Sequence, residues 1–536
     1  MQLIIEEIEF KRIILHVKGV LIGKDKNTQI KFWNEAGGGL LTPTHVEWEG
    51  DRFHLWMNVL SINNESPMLP GIYYMGAYND KKCRCSAELT EGLTFEQDEL
   101  KDNPVNIVIN KGKGHFFRAF SRLNLDNGDY YLDVRCEMPE DPPFFIKKWA
   151  SRHAKNIKRN LWEITHWISV SEFKHYAKKK KSGNKILFAS GSRGEIGGNE
   201  EFIYNRLKER GLDKNYEICF DFKPNIDAKR SLFKKYRFTK LLATSDIIFI
   251  DDYYPDVYKF DYPKDVKVVQ LWHACGAFKS LGFERMDKPG APPLNTRVHK
   301  CYTHMPVSSV HSAWHHAEGF CIDESKFLPI GIARTDVFFD EEYKKKTAEK
   351  MYQEFPRAKQ AKRVYLYAPT FRGKNALDAF FPFGQVDLNA WGKFLKERDE
   401  HLIIKMHPFV KESIKIPGEY KDYISDAFDY REVNDILFIV DVLITDYSSV
   451  MYEFSLLRRP MYFYAFDQKM YEASRDFYEK YEDTVPGPIV KRFDQLLVAL
   501  KEETFDPKRL EGFITKNFTY TDGKATDRVI DEIILK

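Results

Sequence analysis

Two successive series of alternating strand and helix patterns, beginning at Asn184, constrain this chain more than any other feature. Lys185-Ile186-Leu187-Phe188-Ala189 is a short apolar run, followed by Gly191, Gly194, Gly197 and Gly198 and a helical stretch over about 200–210. Residues 246–250 and 266–271 repeat the apolar run. Beyond Asp340 comes a Lys/Glu-rich helical stretch, and then a second series at 363–367, 401–405, 440–445 and 460–464. Strands that are apolar throughout are buried on both faces, which requires helices on each side of a parallel sheet. The expectation is an α/β chain with two doubly wound domains. Such sheets bind ligands at the carboxyl ends of their strands, so the residues after each run are the candidates for chemistry.

The 536 residues suffice for three or four domains at roughly 150 residues each. Region 1–140 reads as short strands, such as Ile13-Ile14-Leu15-His16-Val17 and Tyr130-Tyr131-Leu132-Asp133-Val134, broken by Gly, Asn, Asp and Pro. That spacing suggests a small β-sandwich or barrel. A docking module and a glycan-binding module both fit it. A Pro-rich break at 139–143 ends it.

Residues 141–183 change character. Between 144 and 181, 11 Lys and Arg face only Glu163 and Glu172. On a wheel of about 100° per residue, Phe145, Trp149, Ile157, Leu161, Ile164, Trp167 and Ile168 share one half. Lys147, Lys148, Arg152, Lys155, Lys158 and Arg159 occupy the other, with Trp162 among them. A basic amphipathic helix with Trp beside the cations suits an anionic membrane surface. The competing reading is a helix whose apolar stripe packs on the next domain. The expected divisions are 1–140, 141–183, 184–345 and 346–536.

Several classes are excluded. The 82 Lys and Arg against 79 Asp and Glu leave only +3, which gives no field for nucleic acid. No run reaches the ~18 apolar residues of a spanning helix. The start, MQLIIEEIEFK, carries acids where a signal peptide carries bases, so export is not expected. Seven cysteines, an odd number in a large chain, favour reduced thiols. Cys83-Arg84-Cys85 is too tight for a CxxC pair, and no second pair follows, which argues against zinc.

The strand ends carry the polar residues. Leu271 leads to Trp272-His273-Ala274-Cys275-Gly276-Ala277-Phe278-Lys279. A histidine directly after a buried strand suits proton removal from a hydroxyl near neutral pH. A histidine satisfied by backbone groups is the alternative. The next run leads to Ala368-Pro369-Thr370-Phe371-Arg372-Gly373, where Arg372 and Thr370 suit a phosphate. Residues 401–405 lead to Met406-His407-Pro408, where proline fixes the direction of His407. Residues 440–445 lead to Asp446-Tyr447-Ser448-Ser449 and a helix through Glu453. Two hydroxyls at a helix start suit an anion, and Glu453 suits sugar hydroxyls; a plain helix cap is the alternative. Between the series, Arg334 of Gly331-Ile332-Ala333-Arg334-Thr335-Asp336 either reaches a phosphate or pairs with Asp336. Two histidines, two arginines and a Ser-Ser helix start at the strand ends of two domains suit a pyrophosphate-bearing donor. Its charge would be neutralised by side chains and a helix end.

In order along the chain, WHACGAFK, GIARTDVF, YAPTFRG, KMHP and DYSSVMYEF resemble the CDP-glycerol glycerophosphotransferase family of teichoic-acid polymerases and primases, over about 185–500. The resemblance implies a GT-B fold, with two Rossmann-like domains around the donor cleft. It implies transfer of a polyol phosphate from a CDP-polyol to an undecaprenyl-linked acceptor, with release of CMP. The site would be the cytoplasmic face of a Gram-positive membrane, with the enzyme peripherally attached. His273 matches the family's proposed base, and His407 falls in a block matching donor-phosphate contacts and is expected to act in catalysis by stabilising charge on the transferring phosphate. Ala274, Cys275, Gly276 and Ala277 match the loop beside the base. Arg334, Pro369, Thr370, Arg372, Met406, Pro408, Asp446, Ser448, Ser449 and Glu453 match donor contacts. Where many members read HGTPLK, this chain reads HACGAFK. With the strand-rich start, that looks more like the ribitol-phosphate branch than the glycerol-phosphate one. A UDP-sugar-dependent glycosyltransferase or epimerase of the same fold, and a non-catalytic glycan-binding scaffold, are the alternatives. No cofactor is implied; a divalent cation and a homo-oligomer stay open.

Overall fold

The structure, a computed structural model, describes residues 1–35, 39–79, 82–90, 93, 104–112, 115–124, 127–137, 155–179, 183–285, 292–294, 296–373 and 378–536. The break at 139–143 and Lys147, Lys148, Trp149 and Arg152 lie outside the described residues, as do the side chains of Lys155, Lys158 and Arg159.

A four-stranded parallel sheet runs in the order Glu217–Phe222, Lys185–Ser190, Ile247–Ile250, Lys267–Gln270. Register sets Phe188 between Phe220 and Phe249, and the three rings stack at 5.9 and 5.1 Å. The Glu217–Phe222 strand escapes a search for apolar runs. It is the edge strand, only half covered, and its EICFDF sequence carries charges that a central position would not tolerate.

The second sheet has six parallel strands, in the order Ile424–Asp426, His401–Ile404, Val364–Ala368, Val442–Thr445, Met461–Tyr464, Ile489–Val490. Both faces are covered. Leu366, Ile403, Leu443 and Phe463 pack with Met351, Leu510 and Phe513. Tyr365, Tyr367, Leu402 and Ile404 pack with Trp391, Leu395 and Leu496. The chain end returns to the first sheet, where Val529, Ile530 and Ile533 cover Ile186, Phe188 and Phe249. Asp527 fixes that return through Arg206 and Arg210. The two α/β units are therefore interleaved in sequence: Met351 of helix Glu341–Glu354 serves the second sheet and residues 525–534 serve the first.

Ahead of these units, strands from Gln2–Lys11 to Tyr130–Glu137 join in one 11-stranded, mostly antiparallel sheet around Leu3, Leu15, Leu55, Met75, Phe117 and Leu132. It is anchored to the rest of the molecule by polar contacts. Asn58 Nδ2 donates to Glu318 Oε2 at 2.6 Å, and Arg12 Nε to Asp476 Oδ2 at 2.8 Å. Helix Lys155–Ala177 follows. Phe173 is buried and stacks on Phe260 at 4.5 Å, whereas Trp167 and Ile168 are 57 % and 43 % exposed. Part of the apolar face thus packs on the first unit and part stays open. Among the described residues, no helix is long and apolar enough to cross a membrane.

Candidate active site

His273 stands at the carboxyl end of the Lys267–Gln270 strand because the chain kinks there. Trp272 adopts φ +50°, a left-handed conformation that costs a bulky residue about 1–3 kcal/mol. The kink is held by hydrogen bonds. Trp272 N–H donates to Gln270 Oε1 at 2.8 Å, and Asn199 Nδ2 donates to the carbonyls of Leu271 and Trp272 at 3.3 and 2.9 Å. The His273 ring is exposed, and its Nδ1 lies 3.2 Å from Asp252 Oδ1. Asp252 follows the neighbouring strand, Ile247–Ile250, by the same strand-end rule. Burial acts to raise the Asp252 carboxyl, but its hydrogen bond and charge contact with His273 hold it below the usual value. An ionised Asp252 accepts from Nδ1–H, which sets the tautomer of the neutral ring with its lone pair on Nε2.

The next residues join the two units. Cys275, Gly276, Ala277 and Phe278 are buried, and Ala274 is half-buried. A Cβ on Gly276 would lie 2.0 Å from the Tyr452 ring. Arg334 closes this contact. Its Nη1 donates to the His273 carbonyl at 2.8 Å, its backbone N–H donates to Asn199 Oδ1 at 3.0 Å, and its Nη2 pairs with Glu453. Arg334 therefore does not pair with Asp336. Asp336 instead accepts the backbone N–H groups of Ala525 and Thr526, both at 2.8 Å, and caps the returning helix. Glu453 Oε2 is buried with no hydrogen-bond partner among the described residues. Burial pushes the Cys275 thiol well up, so it is a neutral packing group.

His407 has the opposite tautomer. Its Nδ1 accepts the Phe409 backbone N–H at 3.1 Å, so the proton sits on Nε2. Burial, then Lys279, Lys405 and Arg475, lower its pKa to about 4, and the ring stays neutral near pH 7. Lys279 is six residues beyond His273 on the buried loop, and Arg475 donates to the Gly373 carbonyl at 2.9 Å. These cations place positive charge around the ring. Ser448 and Ser449 are half-buried at the start of helix Val450–Ser455, and Ser448 Oγ accepts Val450 N–H at 3.3 Å.

Arg372 differs from its expected role as a phosphate contact. Its guanidinium is spent internally: Nε and Nη2 donate to Asp467 at 2.7 and 2.8 Å, and Nη1 donates to Asp446 at 3.0 Å and to the Thr370 carbonyl at 2.8 Å. Asp446 also accepts the Thr370 N–H and Oγ1–H at 2.8 and 2.9 Å. Arg372, Asp446 and Thr370 thus form a buried frame under the strand ends. Pro369 is buried, Met406 belongs to the second unit's core, and Pro408 is exposed beside His407. Sequence reading missed Asp252, Lys279 and Arg475. Only Asp252 had a local signal, an acid directly after a buried run.

Comparison with known proteins gives the family. The family model described as CDP-Glycerol:Poly(glycerophosphate) glycerophosphotransferase matches residues 171–535. The teichoic acid ribitol-phosphate polymerase TarL of Staphylococcus aureus is 34 % identical, over 98 % of this chain and 98 % of that protein. A teichoic acid poly(ribitol-phosphate) polymerase of Bacillus spizizenii is 35 % identical, over 98 % of this chain and 84 % of that protein. In fold, a structure of the wall teichoic acid polymerase TagF aligns with a TM-score of 0.55 at 22 % identity, covering 72 % of this chain and 98 % of that one. The chain belongs to the CDP-glycerol:poly(glycerophosphate) glycerophosphotransferase family and is a CDP-polyol phosphotransferase.

Proposed function

We propose that this enzyme transfers ribitol phosphate from CDP-ribitol to a terminal hydroxyl of an undecaprenyl-linked polyol-phosphate chain and releases CMP. The observation that carries the mechanism is the pair of histidines in opposite tautomers. His273 Nε2 removes the proton of the attacking hydroxyl while Asp252 stabilises the imidazolium that forms. Oxygen attacks the β-phosphorus, and the bond to the CMP phosphate oxygen breaks. His407 Nε2–H, Lys279 and Arg475 hold charge on the transferring phosphate and the departing CMP. Ser448 and Ser449 offer hydroxyls to the same anion. The two α/β units form a GT-B pair in this reading, with the 1–140 sheet as an accessory domain.

Ribitol is favoured because two ribitol-phosphate polymerases match over 98 % of the chain. Attachment to the cytoplasmic face of the membrane is part of the same proposal. Trp167 and Ile168 are exposed on helix Lys155–Ala177. The adjoining helix Leu232–Thr244 opens with Leu232 and Phe233, 76 % and 74 % exposed, beside Lys234 and Lys235, and meets the first through Tyr176 and Tyr236. Exposed apolar residues among lysines suit an anionic leaflet.

The test is CMP release by the purified protein with a lipid-linked primer, comparing CDP-ribitol with CDP-glycerol. Faster release from CDP-ribitol is expected. Faster release from CDP-glycerol keeps the chemistry and overturns the polyol. Release from neither overturns the proposal.

A further inference from the structure

The helix Val310–Phe320 carries His311 and His315 four residues apart, hence on one face. Their rings lie 4.7 Å apart. Glu479, in the segment beyond helix Gln468–Arg475, reaches the same place from the second unit, with its Oε1 3.6 Å from His311 Nε2. One ligating atom from each of the three residues lies within 4.8 Å of the others. Tetrahedral ligands at zinc–nitrogen and zinc–oxygen distances sit about 3.3 Å apart, so closing the set needs shifts of only about 1 Å.

A second observation points to an occupant. His315 is 8 % exposed, and its Nε2 is buried with no hydrogen-bond partner among the described residues. A buried polar nitrogen left in this state costs about 1–3 kcal/mol. His311 and Glu479, the other two members of the set, line a void of about 10 Å³ together with Lys516. Lys516 Nζ lies 2.6 Å from Glu479 Oε1 and supplies the positive charge there. That side chain is 42 % exposed on a flexible stem, so it can swing to solvent when another cation takes the carboxylate.

We propose that His311, His315 and Glu479 bind one divalent cation of the zinc class, which ties helix Val310–Phe320 to the segment around Glu479. Two imidazoles and one carboxylate suit Zn²⁺, Co²⁺ or Ni²⁺, whereas Mg²⁺ and Ca²⁺ take oxygen ligands. Water would complete the fourth position. The site is separate from the proposed chemistry but close behind it. Tyr478 N–H donates to the Phe278 carbonyl at 3.1 Å, and Phe278 precedes Lys279. A cation here would brace the joint on which the His273 loop rests.

The test uses the full-length protein stripped with a chelator and titrated with Zn²⁺ by calorimetry and with Co²⁺ by visible absorption. One equivalent should bind, with ligand-field bands of a four-coordinate cobalt site and a rise in melting temperature. His311→Ala and Glu479→Gln, at partly exposed positions where folding is retained, should each lose at least about 10-fold in affinity. Absence of binding to the parent protein means a water-filled void and overturns the proposal. Undiminished binding in both variants locates the metal elsewhere, on the free cysteines for instance, and overturns it equally.

Discussion

His273 Nδ1 faces Asp252 Oδ1 at 3.2 Å, from the ends of adjacent parallel strands. The relationship fixes the tautomer of a ring that is otherwise exposed. In the proposed mechanism it leaves Nε2 of His273 to act as the base, while the backbone of Phe409 leaves the proton of His407 on its own Nε2. Two identical side chains thus receive different tasks from what bonds their Nδ1 atoms.

Asp252→Asn tests this directly. An amide in that place can donate to Nδ1, which moves the ring proton to Nε2 and blocks the base. We expect kcat to fall by at least ~10², with KM for the CDP-polyol little changed and the fold intact by thermal melting. A near-native kcat would remove Asp252 from this role.

Arg372→Ala should read out as lost stability. The side chains of Arg372, Asp446 and Asp467 are each under 10 % exposed, so deletion of the guanidinium leaves two carboxylates uncompensated. A loss of about 3–5 kcal/mol in urea unfolding is expected. If stability held and only KM rose, the side chain would be a ligand contact after all.

These two cases show what the sequence made legible. His273 and His407 directly follow apolar runs, and the rule that ligands gather at strand ends finds them without any partner being known. Arg372 obeys the same rule, yet Asp467 lies 95 residues further on and decides its role. Lys279 and Arg475 were hidden for the same reason, since their importance comes from packing near His407. The central strands were readable because burial on both faces makes them uniformly apolar. The edge strands Glu217–Phe222 and Ile424–Asp426 were not, because half-covered edges keep polar residues. The two-residue strand Ile489–Val490 is too short to carry a pattern.

Gly276→Ala probes the joint between the units. Tyr452 is 1 % exposed and packed against Phe278 and Phe513, so its ring has no room to leave an added Cβ. Overpacking of this kind costs about 1–3 kcal/mol. We expect a lower melting temperature and, because the His273 loop must shift, a fall in kcat. A variant with unchanged melting and turnover would show that the loop does not bear on Tyr452.

The last prediction concerns pH. Glu284 and Glu318 are buried where the first unit meets the N-terminal sheet. Burial lifts Glu284 to about 8, against the opposing pull of Arg12, and lifts Glu318 to about 7, against its bond from Asn58. In the unfolded chain both ionise near ~4.3. Between those limits the unfolded state binds fewer protons than the folded one, so stability falls as pH rises. The contribution is complete below the unfolded value and is lost as pH climbs through about 8. Melting temperature should therefore decline from about pH 5 to about pH 8. Glu284→Gln should flatten part of that decline, since the amide keeps the shape and cannot ionise. An identical slope in the variant would place the proton uptake on other groups.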